Sequence, residues 1–359
     1  MIANPQRRMK QVAIGEILEP LSNASGIVGR EDEVRGIMKK LLKPYTDEVR
    51  EDKLGNVIGI KQGKEKAPKV MIAGHMDEIG LLIKTISKEG FLQFMKLGGI
   101  DDRVLLAQKV LVYTDKGVLH GIIGSKPPHI QKEEERKKVQ TSDELFIDIG
   151  ASSQEEVKRM GVKIGDVVGF DVKYAKIGKS VVIGKAFDDR IGCAMVVEIL
   201  RRLGKSSECT VYGVGTVQEE VGLRGATTAS FGIYPDVGIA LDVTVAGDVP
   251  GVREVEASVK MGKGPSLCVA DFGLITHPKV LKLLVAAAEE NNIHYQLEAG
   301  LPGSTDAARM ALTREGVPSG TVSIPTRYIH SPTSMLNLDD VEASIKLVVA
   351  AIKQVPKHF

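Results

Sequence analysis

The sequence predicts an α/β protein with a mostly parallel central sheet flanked by helices, and a small β-rich domain inserted into it. Two patterns carry this prediction. After residue 180, apolar strand-like runs alternate with amphipathic helical segments, which is typical of parallel sheets covered by helices on both faces. Between 84 and 175, short β-type runs are separated only by turn signals. We therefore assign 1–83 and 176–359 to the α/β domain and 84–175 to the insert, and a length of 359 residues accommodates both.

The segment before the insert is predicted to hold one helix and several strands. Residues 31–45 favour a helix, because apolar residues such as Val34 and Met38 recur on one face and Pro44 ends it. Hairpin-type turn residues follow the helix. The run KVMIAGHMD at 69–77 is continuously apolar up to its last residues, which indicates a strand buried on both faces.

The insert is predicted to be a compact all-β unit. Turn signals at 88–90 (KEG) and 115–117 (DKG) separate runs that are rich in β-branched and aromatic residues. Residues 129–144 (HIQKEEERKKVQTSDE) are densely charged and nearly free of apolar side chains. We expect them to form a mobile surface loop, because such a segment cannot bury enough apolar surface to pack.

The second part of the α/β domain is predicted to alternate strands with helices. The helices are predicted from apolar residues at helical spacing, and their ends are predicted from glycine and proline. The predicted strands are 181–187, 210–217, 237–243, 294–300 and 320–325, and the predicted helices are 188–204, 222–232 (a short helix or turn), 276–292, 305–316 and 339–355.

Composition excludes several classes of partner. The net charge is +2 with acids and bases interspersed, which predicts neither a nucleic-acid nor a membrane partner and favours a small or neutral one. The N-terminal segment lacks the long apolar stretch of a signal peptide, and no apolar run is long enough to span a membrane. The three cysteines, Cys193, Cys209 and Cys268, have no CxxC spacing and indicate a reducing compartment. We expect a cytoplasmic protein.

Polar residues follow five of the apolar strand-like runs, each at the end of its strand. Because the carboxyl ends of strands in an α/β sheet border the ligand crevice, we expect these side chains to converge. They are His75 and Asp77, Asp188 and Asp189, Glu219 and Glu220, Asp242, and His330.

So many carboxylates in one crevice would repel one another unless cations neutralise them. Two divalent ions per subunit would do so, and a mixed set of His, Asp and Glu suits zinc, cobalt or manganese. Because two adjacent carboxylates cannot sit equally on one ion, we predict Glu220 as a metal ligand and Glu219 as the general base. Asp77 is predicted to accept a hydrogen bond from the imidazole of His75 and to fix its tautomer.

The sequence blocks around these residues resemble those of the tetrahedral, dodecameric metallo-aminopeptidases of archaea and bacteria, the glutamyl and deblocking aminopeptidases of the co-catalytic zinc peptidase clan. The resemblance covers nearly the whole chain, in the family's order. The blocks are GHMDEIG (74–80), KAFDDRIG (185–192), TVQEEVGLRGA (216–226), ALDVT (240–244), GSTDA (303–307) and RYIHSP (327–332).

The resemblance implies a ligand set and an assembly. It implies that His75 and Asp242 bind one or other metal, that Asp188 bridges both with Asp189 as the alternative, and that Glu220 and His330 complete the set. A cis peptide bond is implied between Asp188 and Asp189. The insert is implied to be a PDZ-like dimerisation domain, and the dimers to form the edges of a tetrahedral dodecamer around an enclosed cavity.

The loop before TDA departs from the family pattern. Pro302-Gly303-Ser304 stands where the family often has three glycines, and we expect Gly303, Thr305 and Asp306 near the substrate. The predicted reaction is hydrolysis of the first peptide bond of short peptides with a free N-terminus by a metal-bridging hydroxide. Three alternatives stay open: another bimetal hydrolase such as a deacylase or dipeptidase, a non-catalytic peptide-binding scaffold, and a metal-free glycan hydrolase with two carboxylates.

Overall fold

The computed structural model describes residues 14–204 and 207–359. The N-terminal segment, for which we predicted no signal peptide, lies largely outside the described residues. The helices are α1 Ile14–Asn23, α2 Asp32–Leu42, α3 Glu133–Arg136, α4 Gln154–Met160, α5 Phe187–Arg202, α6 Arg224–Ile233, α7 Pro278–Glu290, α8 Asp306–Ala311 and α9 Leu338–Gln354. The strands are β1 Glu48–Glu51, β2 Val57–Lys61, β3 Lys69–His75, β4 Gly80–Ile86, β5 Leu92–Leu97, β6 Lys109–Thr114, β7 Gly117–Gly124, β8 Phe146–Asp148, β9 Val167–Phe170, β10 Ala175–Ile177, β11 Val181–Gly184, β12 Thr210–Thr216, β13 Val237–Val245, β14 Ser266–Asp271, β15 Gln296–Leu301, β16 Ser319–Arg327 and β17 Ser334–Asn337.

A large mixed sheet forms the centre of the molecule. Its strand order is β1-β2-β12-β3-β13-β16-β17-β11-β10, with β14 pairing to β15 and β16. The four middle strands β12, β3, β13 and β16 are parallel, as the alternation of strands and helices predicted. β3 and β13 are buried along almost their whole length, which explains their continuous apolar sequences.

The outer strands of this sheet differ from the parallel prediction. β2 joins β12 antiparallel, and the pairs β16–β17, β17–β11 and β11–β10 are also antiparallel. Short connections such as those between β1 and β2 and between β10 and β11 permit hairpins, whereas a parallel pair needs a crossover of a dozen or more residues.

Helices cover the sheet on both faces and form two hydrophobic cores. Apolar residues of α1, α2, α5, α7 and α9 pack together in the larger core, which includes Leu18, Met38 and Ile191. On the other face, α6 and α8 pack on the middle strands through small and flexible side chains such as Ala229, Ala308 and Met310. None of the helices in the described ranges combines the length and the apolar composition that crossing a bilayer requires.

The insert is a closed six-stranded antiparallel barrel in the order β4-β5-β8-β7-β6-β9. It has a core of its own, which contains Leu81, Phe94 and Val112. The charged segment 129–144 lies on the surface, and it contains the short helix α3 where only a loop was predicted.

The insert also contains the helix α4, where only β structure was predicted, and two helices of the α/β domain differ from prediction. The helix predicted to end at Gly316 ends at Ala311, because Leu312 leaves helical geometry with φ of −93° and ψ of 5°. Arg314 beyond it is left-handed with φ of 51°, so a helix could not have reached Gly316. α1 was not predicted, because Pro20 lies inside it and obscures the helical pattern.

Candidate active site

The carboxyl ends of the parallel strands surround a cavity of about 560 Å³. This volume lies within the range of small-molecule sites, about 300–1,000 Å³. Most of the residues predicted from the strand ends line it, together with part of the loop before α8. These are His75, Asp188, Glu219, Glu220, Asp242, Gly303, Thr305 and His330. Asp77, Asp189 and Asp306 are buried behind them.

Asp188 lies between the two histidines. Its Oδ1 is 3.0 Å from Nε2 of His75, which ends β3. Its Oδ2 is 3.3 Å from Nε2 of His330, which follows β16. Each oxygen of one carboxylate therefore faces a different imidazole, an arrangement that suits a carboxylate shared by two cations.

The neighbouring Asp189 is used differently. The Asp188–Asp189 peptide bond is cis, as the resemblance implied. The carboxylate of Asp189 accepts hydrogen bonds from the backbone N–H groups of His75 and Gly192, at 3.0 and 2.9 Å. Both of its oxygens are thus bound to the backbone, whereas those of Asp188 face the cavity.

The Glu219–Glu220 pair is held by Asp77. The backbone N–H groups of Glu219 and Glu220 donate to Oδ1 and Oδ2 of Asp77, at 2.9 and 3.0 Å. Nδ1 of His75 lies 3.1 Å from the backbone carbonyl oxygen of Asp77 but 3.6 Å from its carboxylate. The predicted hydrogen bond from the imidazole to the carboxylate is therefore not formed, and the carboxylate instead orients the turn after β12.

Two groups of three side chains could each hold a metal ion. In each group the donor atoms lie within 4.8 Å of one another: His75, Asp189 and Asp242 in one, and His75, Asp188 and Glu220 in the other. Oε1 of Glu220 is buried, and within residues 14–204 and 207–359 it has no hydrogen-bond partner. A buried carboxylate oxygen without a partner fits a position that binds a cation.

Burial and mutual repulsion set the charges of the site. Desolvation and the nearby Asp188 raise the pKa of Glu220 to about 8, and desolvation raises that of Asp242 to about 7. The hydrogen bond to Asp188 raises the pKa of His330 to about 9. For Asp188, the two histidines outweigh desolvation, so its pKa is lowered. Divalent cations would restore the ionised form of the raised carboxylates, so the donor set fits a metal centre.

The loop before α8 is only partly in the cavity. Gly303 and Thr305 line it, and the hydroxyl of Thr305 is 2.9 Å from that of Thr321. Asp306 does not line the cavity, contrary to the expectation that it lies near the substrate. It is 2% exposed, and its Oδ2 accepts a hydrogen bond of 2.5 Å from the hydroxyl of Thr216. As the first residue of α8 it turns inward and supports the end of β12.

Sequence reasoning missed a buried ionic network beneath the site. Glu78 accepts hydrogen bonds from Lys185 at 2.8 Å to each oxygen, and from Arg190 at 3.0 Å. Arg190 also donates to the backbone carbonyls of Met76 and Leu21, at 2.7 and 2.6 Å. The network therefore ties the HMDE turn, the DDR turn and α1 together. Its members lie inside the HMDE and KAFDDR blocks, and this shared location was the one sign in the sequence that they belong to the site.

The sequence also did not reveal that the barrel contributes backbone to the wall of the site. Gly98 and Gly99 follow β5 and pass against the site, so that a Cβ on Gly99 would lie 2.9 Å from Nδ1 of His330. A Cβ on Gly98 would lie 3.1 Å from Oε2 of Glu220. The adjacent glycines were the only sequence sign of this close approach.

The chain is similar in sequence and fold to known aminopeptidases. The family model of the M42 glutamyl aminopeptidases matches residues 55–347. The solved TET aminopeptidase of a marine-sediment Thaumarchaeota archaeon is 46% identical with a TM-score of 0.92, covering 95% of this chain and 97% of that one. The Pyrococcus horikoshii TET1 peptidase, which can assemble into a tetrahedron or a large octahedral shell, is 34% identical with a TM-score of 0.85, covering 94% and 98%. The lysyl aminopeptidase of Pyrococcus furiosus is 38% identical over 96% of this chain and 98% of its own.

Proposed function

The chain belongs to the M42 glutamyl aminopeptidase family, and we propose that it is a binuclear metal-dependent aminopeptidase that removes N-terminal residues from short peptides. The observation that carries the proposal is the carboxylate of Asp188 between the imidazoles of His75 and His330, at 3.0 and 3.3 Å. Such a carboxylate is the centre of a site built for two cations.

The ligand sets follow from the neighbours of Asp188. One ion, zinc or cobalt, would be held by His75, Asp188 and Asp242, and the other by Asp188, Glu220 and His330. Oε2 of Glu220 is 3.6 Å from Nε2 of His330, which supports grouping these two. A mixed set of imidazoles and carboxylates suits both metals.

When bound, the two ions would hold the free amine of the substrate, acidify a water molecule and polarise the scissile carbonyl. Glu219 is the general base, because its carboxylate borders the cavity, 3.8 Å from Nε2 of His75 and beside the ligands. It takes the proton of the attacking water and returns it to the leaving amine. Asp77 positions Glu219 and Glu220 through their backbone amides, and Gly303 and Thr305 contact the substrate.

Two substitutions test these roles. Glu219→Gln is expected to retain two metal ions per chain and to lose turnover, whereas His330→Ala is expected to lose metal and activity together. Metal content by mass spectrometry and hydrolysis of aminoacyl fluorogenic amides are the measurements. The exposed Glu315→Gln and His129→Ala serve as matched controls. Equal loss of metal in both active-site variants would contradict the assignment.

The blocked substrates test the reaction class. An aminopeptidase cleaves peptides with a free N-terminus and rejects their acetylated forms, since an acylated nitrogen has no lone pair to offer a cation. Faster cleavage of acylated or carboxyl-end substrates would favour a deacylase or dipeptidase. Activity that persists in EDTA would favour a metal-free mechanism.

The assembly proposal rests on the barrel. We propose that residues 84–175 are the dimerisation domain, that 1–83 with 176–359 form the catalytic domain, and that the dimers build a tetrahedral dodecamer. The assembly of the Pyrococcus horikoshii relative supports this proposal. Native mass measurement tests it. The three unpaired, buried cysteines support a cytoplasmic location.

A further inference from the structure

One side of the cavity carries acidic residues that the proposed chemistry does not use. Glu298 on β15 lines the cavity, as does Cys268, its pairing partner on the adjacent strand β14. Asp271, the last residue of β14, lines the cavity as well. Glu298 is only 8% exposed. These two carboxylates are not in either of the proposed ligand sets.

The carboxylate of Glu298 has only neutral hydrogen-bond partners. The hydroxyl of Thr244 lies 2.8 and 2.7 Å from its two oxygens, and that of Ser266 lies 3.1 Å from one of them. No ion pair in the described part of the chain includes Glu298. Asp271 likewise accepts from neutral groups in the described part of the chain: two backbone N–H groups, the hydroxyl of Ser304 and the thiol of Cys268. Burying a carboxylate without a cation is costly, and a cation arriving with the substrate would remove that cost.

The rest of the cavity offers no positive charge to an acidic substrate side chain. None of the described lining residues is lysine or arginine, and its two histidines belong to the proposed metal centre. A substrate glutamate or aspartate side chain would therefore meet like charge here. The family's glutamyl name does not fit this part of the pocket.

The position of Glu298 relative to the metal centre fits a long side chain. Thr244, which contacts Glu298, lies two residues beyond Asp242 on the same strand and face, about 7 Å along β13 at about 3.3 Å per residue. The four-carbon stem of lysine can span such a distance and place its ammonium group against the carboxylate.

We propose that Glu298, assisted by Asp271, binds the cationic side chain of the substrate's first residue, so that the enzyme prefers N-terminal lysine and arginine. The proposal rests on the aminopeptidase function proposed above. Glu298 is a specificity-determining residue in it, and it takes no part in bond breaking.

The test compares lysyl and norleucyl fluorogenic amides on the metal-loaded protein. The two side chains share the four-carbon stem, and only lysine carries the ammonium group. We expect kcat/KM for the lysyl substrate to exceed that for the norleucyl substrate by at least about tenfold, since a desolvated ion pair contributes more than about 1.4 kcal/mol. Glutamyl amide is expected to be the poorest substrate of the panel.

Glu298→Gln supplies the second measurement. The lysyl-to-norleucyl ratio is expected to fall at least about tenfold, and the ratio is insensitive to partial loss of folded or metal-loaded protein because both substrates report on the same sites. Glu315→Gln on the exposed surface is the control and is expected to leave the ratio unchanged.

The outcomes separate the two proposals. No hydrolysis of any aminoacyl amide overturns the aminopeptidase function. Hydrolysis in which norleucine equals or exceeds lysine, or a ratio unchanged in Glu298→Gln, overturns the specificity proposal alone. If Glu298→Gln does not fold, the lysyl, norleucyl and glutamyl comparison on the unaltered protein decides it.

Discussion

Replacing Glu78 with Gln removes one negative charge from the buried network beneath the site and almost nothing else. The side chain is 3% exposed, and its oxygens accept from Lys185, Arg190 and the backbone N–H of Gly26. In the variant two buried cations lose their counter-charge. Breaking a buried ion pair by removing one partner costs about 3–5 kcal/mol. At about 2 °C per kcal/mol for a chain of this size, the melting temperature is expected to fall by about 6–10 °C.

The pH dependence of this loss is a sharper test. Burial lowers the pKa of Lys185, and the attraction of Glu78 only partly opposes this shift. At pH values between the lowered pKa and the ordinary lysine pKa, the unfolded chain therefore binds more protons than the folded chain. Stability therefore rises with pH across that window. Without Glu78 the pKa of Lys185 falls further, so the stability of the variant rises more steeply with pH. The loss of unfolding free energy in Glu78→Gln, relative to the unaltered protein, is therefore expected to be smaller at pH 9 than at pH 7.

The assay is thermal unfolding at fixed protein and metal concentration, at both pH values. Glu133→Gln is the matched control, because its ion pair with Lys137 is exposed and contributes about 0–1 kcal/mol. Equal destabilisation by the two substitutions, or a Glu78→Gln deficit that grows with pH, would refute the reasoning.

Three further predictions concern the site itself. Gly99→Ala is expected to lower kcat/KM about tenfold, because its Cβ would displace the imidazole of His330 at a cost of about 1–3 kcal/mol, whereas Gly36→Ala, with open space around it, is expected to have no effect. Asp77→Asn presents an N–H group to one of two backbone amides, so we expect kcat to fall about 10- to 100-fold. Metal affinity is measured in parallel, and an unchanged kcat would contradict the positioning role of Asp77. Metal-stripped protein is expected to lose stability as pH rises from 5 to 8, because carboxylates with raised pKa values, such as that of Glu220 at about 8, bind more protons folded than unfolded. Metal-loaded protein should lack this slope in the same unfolding scans.

The sequence was most informative where the sheet is parallel. The apolar runs that became β3, β12, β13 and β16 end at one edge of the sheet, so residues distant in sequence meet there. This is why the positions of His75 and His330 around one cavity could be predicted, and why the sequence blocks identified the family.

The sequence was least informative where a side chain's environment depends on a distant element. Glu78 follows a predicted strand and Arg190 lies in a predicted helix, and neither pattern indicates that the two side chains pair with each other or that Arg190 contacts the unpredicted α1. Asp306 is adjacent to a lining residue, but its side chain is buried and accepts a hydrogen bond from Thr216 at the end of β12. The antiparallel edges of the sheet follow from connection lengths that apolar periodicity does not report.

The Gly98–Gly99 segment makes the catalytic centre a composite of both structural units. A minimal enzyme made by excising the insert would open the cavity beside His330 and Glu220 to bulk water. A shortened chain would therefore need a replacement segment at this point that also lacks side chains next to Glu220 and His330.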